Sequence, residues 1–459
     1  MTPRILSLTL IAAGISTALD PSASAAIRFV NASLASGAGN GTSWANAYRG
    51  GDALAQAMTA SVAGDEIWVA AGTYRASVAG VRTATHTLKT GVGVYGGFGG
   101  TESLRDQRNI SKFPTIVTGD LLLNDAGAVN LTDNSYHVFV ASGAAATSVI
   151  DGFTIRGGYA NGLNASDQDK GGGLLIVGSG APVIRNCLFT GNRCTFGGGA
   201  VYIFNAGGSF ADCRFESNVG GSFGGAFDMN AVVASFDRCL FLSNTASRAG
   251  ACESYGGSQT RYTNCVFRGN SATGANGGGA LWIGTSSAVT ARNCTIVSNS
   301  ATALAGGVIN TGGTSTFGNC ILWSNSGPGG TTVGNQITNS GGVTLATYCI
   351  VQGDYAGTAN LASDPLFVSA ATGDYRLQAG SGAIDSGSNP LATAGANTDF
   401  SGKPRYRDDP TAANTGTGSS PLIDRGAYER QPPCSADINW DGSVDAQDIA
   451  ALLSAWGPC

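Results

Sequence analysis

Charge is scarce in this chain. Of 459 residues only 12 % are Asp, Glu, Lys or Arg, with 25 basic against 30 acidic side chains and a formal net charge of −5. Nucleic-acid binding calls for a basic face, and this balance excludes it. Histidine occurs only at His86 and His137, and nothing in their contexts positions a Ser-His-Asp triad. Long apolar runs are missing too. The stretch 5–18 is shorter than the ~20 residues a membrane span needs, and no later stretch exceeds it, so no membrane-spanning segment is expected. What the sequence has in abundance is glycine, 70 residues, against a usual share near ~7 %. Together with 42 % hydrophobic residues, this excludes a wholly disordered chain and points to short strands joined by tight turns.

Arg4, the apolar stretch behind it and Ala23-Ser24-Ala25 have the order of a secretory signal. Residues 1–25 are therefore expected to be removed on export, leaving a secreted or cell-surface protein.

The cysteines carry the most information. Cys187, Cys213, Cys239, Cys265, Cys294, Cys320 and Cys349 are separated by 26, 26, 26, 29, 26 and 29 residues. Two residues after each comes a bulky apolar side chain: Phe189, Phe215, Phe241, Phe267, Ile296, Leu322 and Val351. Five residues after come Asn192, Asn218, Asn244, Asn270, Asn299 and Asn325, with Asp354 closing the series. A repeat of this period denotes a solenoid. Helical repeats would not tolerate Gly171-Gly172-Gly173 or Gly197-Gly198-Gly199 inside them. The fold class is therefore all-β, a right-handed parallel β-helix over 26–362, with equivalent residues stacked ~4.8 Å apart. In that register Cys and Phe form inward ladders, and each Asn occupies a turn, with a left-handed backbone and an amide bonded to its neighbour. Stacked thiols stand farther apart than disulfide Cβ atoms, so the seven should stay reduced. Residues 52–62, with Asp52 as N-cap, have helical spacing and are expected to cap the first coil.

Several stretches then resemble known families. Gly41-Thr42-Ser43-Trp44, the run Gly64 to Tyr74 and Tyr95-Gly96-Gly97-Phe98 are similar to the start of bacterial pectin-lyase-like β-helix proteins. The unit Phe215-x-x-Asn218…Gly224-Gly225-Ala226 resembles repeats of polymorphic outer-membrane adhesins. Asp364-Pro365-Leu366-Phe367, Asp374-Tyr375-Arg376-Leu377, Ala383 to Gly387 and Asp424 to Glu429 resemble the choice-of-anchor Q region, here 363–430. The first resemblance implies polysaccharide chemistry, yet that family's catalytic letters are missing. Neither histidine sits between glycines, and Asn397-Thr398-Asp399 and Asp408-Asp409 lack His and Arg-x-Lys partners.

Residues 434–459 form a separate module after Pro432-Pro433. Asp437, Asn439, Asp441, Asp445 and Asp448 take loop positions 1, 3, 5, 9 and 12 of a Ca²⁺ loop, with Gly442 at the sharp sixth position and the Ser443 carbonyl at the seventh. Cys434 and Cys459 bracket a unit too small to hold together without a staple, so a disulfide between them is expected. The unit resembles a single dockerin repeat. Cohesin-binding dockerins carry two, which favours a surface-anchor receptor as the partner here.

Within the coils, the third residue after each final glycine gives Ile176, Tyr202, Asp228, Glu253, Trp282 and Asn310. Strand alternation would point this column outward. Tyr202 and Trp282 would then be sugar platforms. Asp228 and Glu253, on adjacent rungs, would be a carboxylate pair suited to a retaining glycosidase or a Ca²⁺ site, unless they are simply polar because they face water. Two functions remain open: a surface-anchored β-helix that binds extracellular polysaccharide or another cell-surface component, and a polysaccharide lyase or glycoside hydrolase on the same scaffold.

Overall fold

The structure, a computed structural model, describes residues 25–127, 129–431 and 446–455. The expected signal segment, Cys434, Cys459 and the loop positions Asp437, Asn439, Asp441, Ser443 and Asp445 lie outside the described residues. Of the expected Ca²⁺ ligands only Asp448 is described, in the first turn of the helix Ala446–Ala455.

The chain winds into a parallel β-helix of about 10 turns. Each regular coil contributes a strand to a first sheet, turns sharply into a second, and returns through glycine-rich turns to a third; these sheets have 11, 10 and 9 strands. Pairing follows the cysteine spacing. Phe189 pairs with Phe215, Phe215 with Phe241 and Phe241 with Phe267, and their rings stack with centroids 5.0, 5.2 and 4.4 Å apart. A second stack, Phe210–Phe236–Tyr262, rises from the first sheet beside it.

All nine cysteines among the described residues are buried and unbonded. Each ladder thiol sits against backbone carbonyls, as Cys213 does against Ala211 O at 3.3 Å and Ile184 O at 3.6 Å. Burial raises the Cys252 and Cys349 thiols well above their usual range, which suppresses the reactive thiolate. Intact-mass analysis with and without reduction should show no disulfide among Cys187–Cys349. A deficit of two hydrogen atoms mapped to consecutive ladder members would contradict this packing.

The asparagine ladder forms, but not as a left-handed turn. Asn192, Asn218, Asn244, Asn270 and Asn299 each pass Nδ2–H to the next Oδ1 at 2.8–3.1 Å. The left-handed residues are instead those before them, such as Ser217 and Ser243, and those before each Cys: Asn186, Asp212, Arg238, Asn264, Asn293, Asn319 and Tyr348, with φ of 47–54°. The residues before each Cys are where the chain bends between the first two sheets, and among side-chain-bearing residues Asn and Asp tolerate it best. Gln336, not Asp354, closes the ladder, its Oε1 accepting from Asn325 Nδ2 at 2.7 Å.

A helix runs over Ala53–Ala60 and buries Ala53, Leu54, Ala57 and Met58 in the core beside the first strands. Asp52 occupies the N-cap position but makes no capping bond; its Oδ1 accepts from Gln56 Nε2.

Residues 363–430 lie along the outer side of the second sheet, where Leu240, Val266, Val297, Ile321 and Trp323 meet Phe367, Tyr375, Leu377 and Ala427. They attach to the left-handed corners. Asn264 Nδ2 donates to Thr398 O, Asn293 Nδ2 to Asp424 O and Asn319 Nδ2 to Ser388 O. Inside this region acids hold one another's backbones in sequence: Glu429 N–H donates to Asp399, Asp424 N–H to Glu429, Asp385 N–H to Asp424 and Asp409 N–H to Asp385. Asp399 and Asp409 thus belong to a structural chain of carboxylates, and Arg405, itself buried, bonds Asn264 and Ala427 O.

Candidate functional site

The third sheet places the expected carboxylates side by side. Its register runs Leu175, Tyr202, Asp228, Glu253, Trp282, Ile309. Alternation is as expected: Val201, Ile203, Phe227 and Met229 enter the core, and the middle column points away from it. Both ends of that column are shifted, since Ile176 faces inward with the core and Asn310 sits one position past Ile309 in the register.

The column is not open to solvent, which corrects the sequence expectation. Asp228 and Glu253 are 0 % exposed, Tyr202 5 %, and Trp282 half-buried. The glycine-rich turns fold over it. A Cβ at Gly171 would press on Tyr202, and one at Gly197 would collide with the Asp228 carboxylate. Glycine is therefore required there to close the turn over the sheet. Phe196, Phe223 and Arg248 complete this cover. Alternation fixes which way a side chain points but not what the next turn lays over it.

Under the cover the charges are unequally served. The Arg248 guanidinium pairs with Glu253, with Nε 3.0 Å from Oε2 and Nη2 on Oε1, and lies between the Phe223 and Trp282 rings at 4.2 and 4.0 Å. Both oxygens of Asp228 lack a hydrogen-bond partner. Burial first, and the neighbouring Glu253 second, hold the Asp228 carboxyl well above the usual range. Burial also raises Glu253, against the pull of Arg248. Lys170 is engaged with Asp169 at 2.8 Å and lies near the Phe196 and Tyr202 rings. The surface nearest this cluster is an open depression lined by Arg248, Tyr255, Trp282, Thr285 and Ser286.

A second accessible feature lies elsewhere. On the outer side of the first sheet a groove of about 380 Å³ crosses successive rungs. One row is Val183, Ser209, Ser235, Arg261 and Thr290, paired in register. A parallel strip contributes Ala181, Val233, Gln259 and Ala288. A recess of about 230 Å³ continues it to Asp237 and Thr263, walled by residues 393–396 of the closing region. From Ser209 onward the polar row stands four residues before each ladder cysteine, a register visible in the sequence that the glycine-based reading passed over.

His86 and His137 belong to neither the column nor the groove. Each is buried with Nδ1 3.1 Å from a backbone carbonyl, of Val138 and Gly171; burial lowers His86 to about 4, so it is neutral at physiological pH.

The family-model comparison agrees with the fold. Residues 172–354 match the family model described as "Right handed beta helix region", which gives the coil its hand. No curated protein matches the chain in sequence. Among solved structures, the crystal structure of a pectate lyase matches at 16 % identity with a TM-score of 0.49, over 89 % of this chain and 97 % of that one.

Proposed function

We propose that this chain is an exported, surface-held β-helix whose first-sheet groove binds an extended polysaccharide or related cell-surface polymer, with residues 434–459 as a Ca²⁺-dependent attachment to a surface receptor. The observation that carries the binding reading is the groove itself. It is open, and crosses rungs ~4.8 Å apart. It offers hydroxyls and one guanidinium in a row (Ser209, Ser235, Arg261, Thr290) beside a strip in which Ala181, Val233 and Ala288 are apolar and Gln259 is polar. Hydroxyls and guanidinium can bond a sugar's substituents while the strip takes the C–H face of its ring. An open trough suits a polymer better than a small ligand, which would be enclosed on most sides. Arg261 adds a preference for acidic residues. With Asp228 and Glu253 covered, binding is favoured over lysis or hydrolysis.

Retention on immobilised uronic-acid and neutral polysaccharides tests this reading. Arg261→Ser combined with Ser235→Ala should weaken retention of an acidic polymer at least tenfold. Stability should hold within ~0.5 kcal/mol, the usual range for exposed positions. Unchanged retention would move the site away from the groove, and new chain ends in the polymer would restore the enzyme reading. Tyr202→Ala, by contrast, should lower the melting temperature, because the ring is covered.

A further inference from the structure

The open depression beside the covered carboxylates has a lining of its own. It holds about 610 Å³, within the ~300–1,000 Å³ of small-ligand sites. Two successive coils build it. The strands Cys252–Tyr255 and Leu281–Ile283 are neighbours in the third sheet, and a short turn follows each. The first turn supplies Gly256 and Gly257 and the second Thr285 and Ser286, all four exposed. A Cβ at Gly284 would meet the Trp282 ring at 2.6 Å and Tyr255 Cβ at 2.9 Å. Its absence lets the half-buried indole lie along the strand toward the turn, with Tyr255 beside it. Tyr202, the other expected platform, is covered and takes no part.

Arg248 is the one charged residue of this lining. Its Nε and Nη2 both donate to Glu253, a two-pronged pairing that satisfies the carboxylate and cancels the charge. Among the described residues Nη1 has no partner and is not a buried orphan, so its two N–H groups meet water. The Arg248 side chain is 28 % exposed against 0 % for Glu253, and it lies 4.0 Å from the centroid of the Trp282 ring. Carboxylate and ring together hold the Nη1 donors in place, and a donor already fixed loses little freedom on binding. The Thr285 and Ser286 hydroxyls, each able to donate and accept, have no bond elsewhere among the described residues. A uronate or sulfate would find the one cation already neutralised. A sugar hydroxyl needs only donors and acceptors, and the C–H face of its ring packs on an aromatic surface.

We infer that the third sheet carries a separate site for a neutral sugar residue. Trp282 and Tyr255 supply its platform, and Arg248 Nη1, Thr285 and Ser286 its hydrogen bonds. It stands apart from the first-sheet groove, whose Arg261 favours an acidic polymer, and neither site needs the other.

Saturation-transfer NMR on the full chain tests this, with neutral gluco-, galacto-, manno- and xylo-trisaccharides as probes. At least one should bind with a Kd below ~10 mM, and Trp282→Ala should weaken it at least tenfold. Because Trp282 also packs on Arg248, a second variant combines Thr285→Val with Ser286→Gly. Both positions are exposed, and glycine suits the left-handed backbone at 286, where φ is 62°. Its melting temperature should therefore hold while affinity for the trisaccharide falls severalfold. Saturating trisaccharide should leave retention of an acidic polymer unchanged, which separates this site from the groove. Absence of binding by all four probes, undiminished binding in either variant, or competition between the trisaccharide and the acidic polymer would overturn the inference.

Discussion

Asp228→Asn is expected to raise the melting temperature by several degrees at pH 8 and to leave it almost unchanged near pH 4. Asp228 is covered by Gly197, has no partner for either oxygen, and stands next to Glu253 in the register. Its folded-state pKa therefore lies well above that of the unfolded chain, near ~3.9. Between those two values the folded state binds more protons than the unfolded one. Stability is thus fully present below the unfolded pKa and is lost as pH rises towards the folded one. Asparagine has the shape of the protonated acid and cannot ionise, so the variant escapes this loss. Asp385, raised to about 6, Asp424, raised to about 7, and Glu429, held well above its usual range by burial, slope the same way in both proteins. The difference between the two melting curves across pH isolates Asp228. Parallel curves from pH 4 to pH 8 would show that the carboxylate finds solvent or a donor despite its cover.

The solenoid was legible because its cause is one-dimensional. A 26-residue step that returns Cys, Phe and Asn to the same place dictates parallel pairing and stacked rings, and the structure pairs Phe189, Phe215 and Phe241 on that step. The short turns were read less well. Asparagine suits a left-handed backbone, which makes the Asn192–Asn325 column the expected place for one. The bends instead use the residues before each Cys, and the ladder amides are held by bonding along the stack. Asn stands directly before the ladder cysteine in four of the seven repeats and five residues after it in six, and offsets alone do not separate the two kinds.

The expected exposure of the column failed at a different step. Alternation correctly turned Tyr202, Asp228, Glu253 and Trp282 away from the core. Their burial depends on turns from neighbouring coils, contacts between residues roughly 30 apart that no local pattern records. Two signals did lie in the sequence. Outward positions on the second sheet change from Arg214 and Glu216 to Val266, Val297, Ile321 and Trp323, the apolar strip that residues 363–430 cover. The row Ser209, Ser235, Arg261 and Thr290 marks a face that stays polar and open.

Asn244→Ala should be among the most destabilising single substitutions in the chain. The Asn244 amide accepts from Asn218 N at 3.1 Å and Asn218 Nδ2 at 3.0 Å, and donates to Phe215 O at 2.8 Å and Asn270 Oδ1 at 2.9 Å. The residue is wholly buried. Alanine keeps the backbone donor to Asn270 but strands the Asn218 amide N–H, one Asn218 Nδ2–H and the Phe215 carbonyl. Each stranded group costs about 1–3 kcal/mol, so a loss of ~3–5 kcal/mol is expected. Coils in a solenoid lean on their neighbours, so the damage should spread along the ladder. Urea unfolding gives the size of the loss, and hydrogen exchange should show lost protection at Asn218 and Asn270 before the more distant coils. The comparison variant is Ser235→Ala, on the same coil but in the open groove, where the change should stay within ~0.5 kcal/mol. A loss for Asn244→Ala below ~1 kcal/mol would mean that water enters the stack in its place, and the ladder would then be packing rather than the polar spine of the helix.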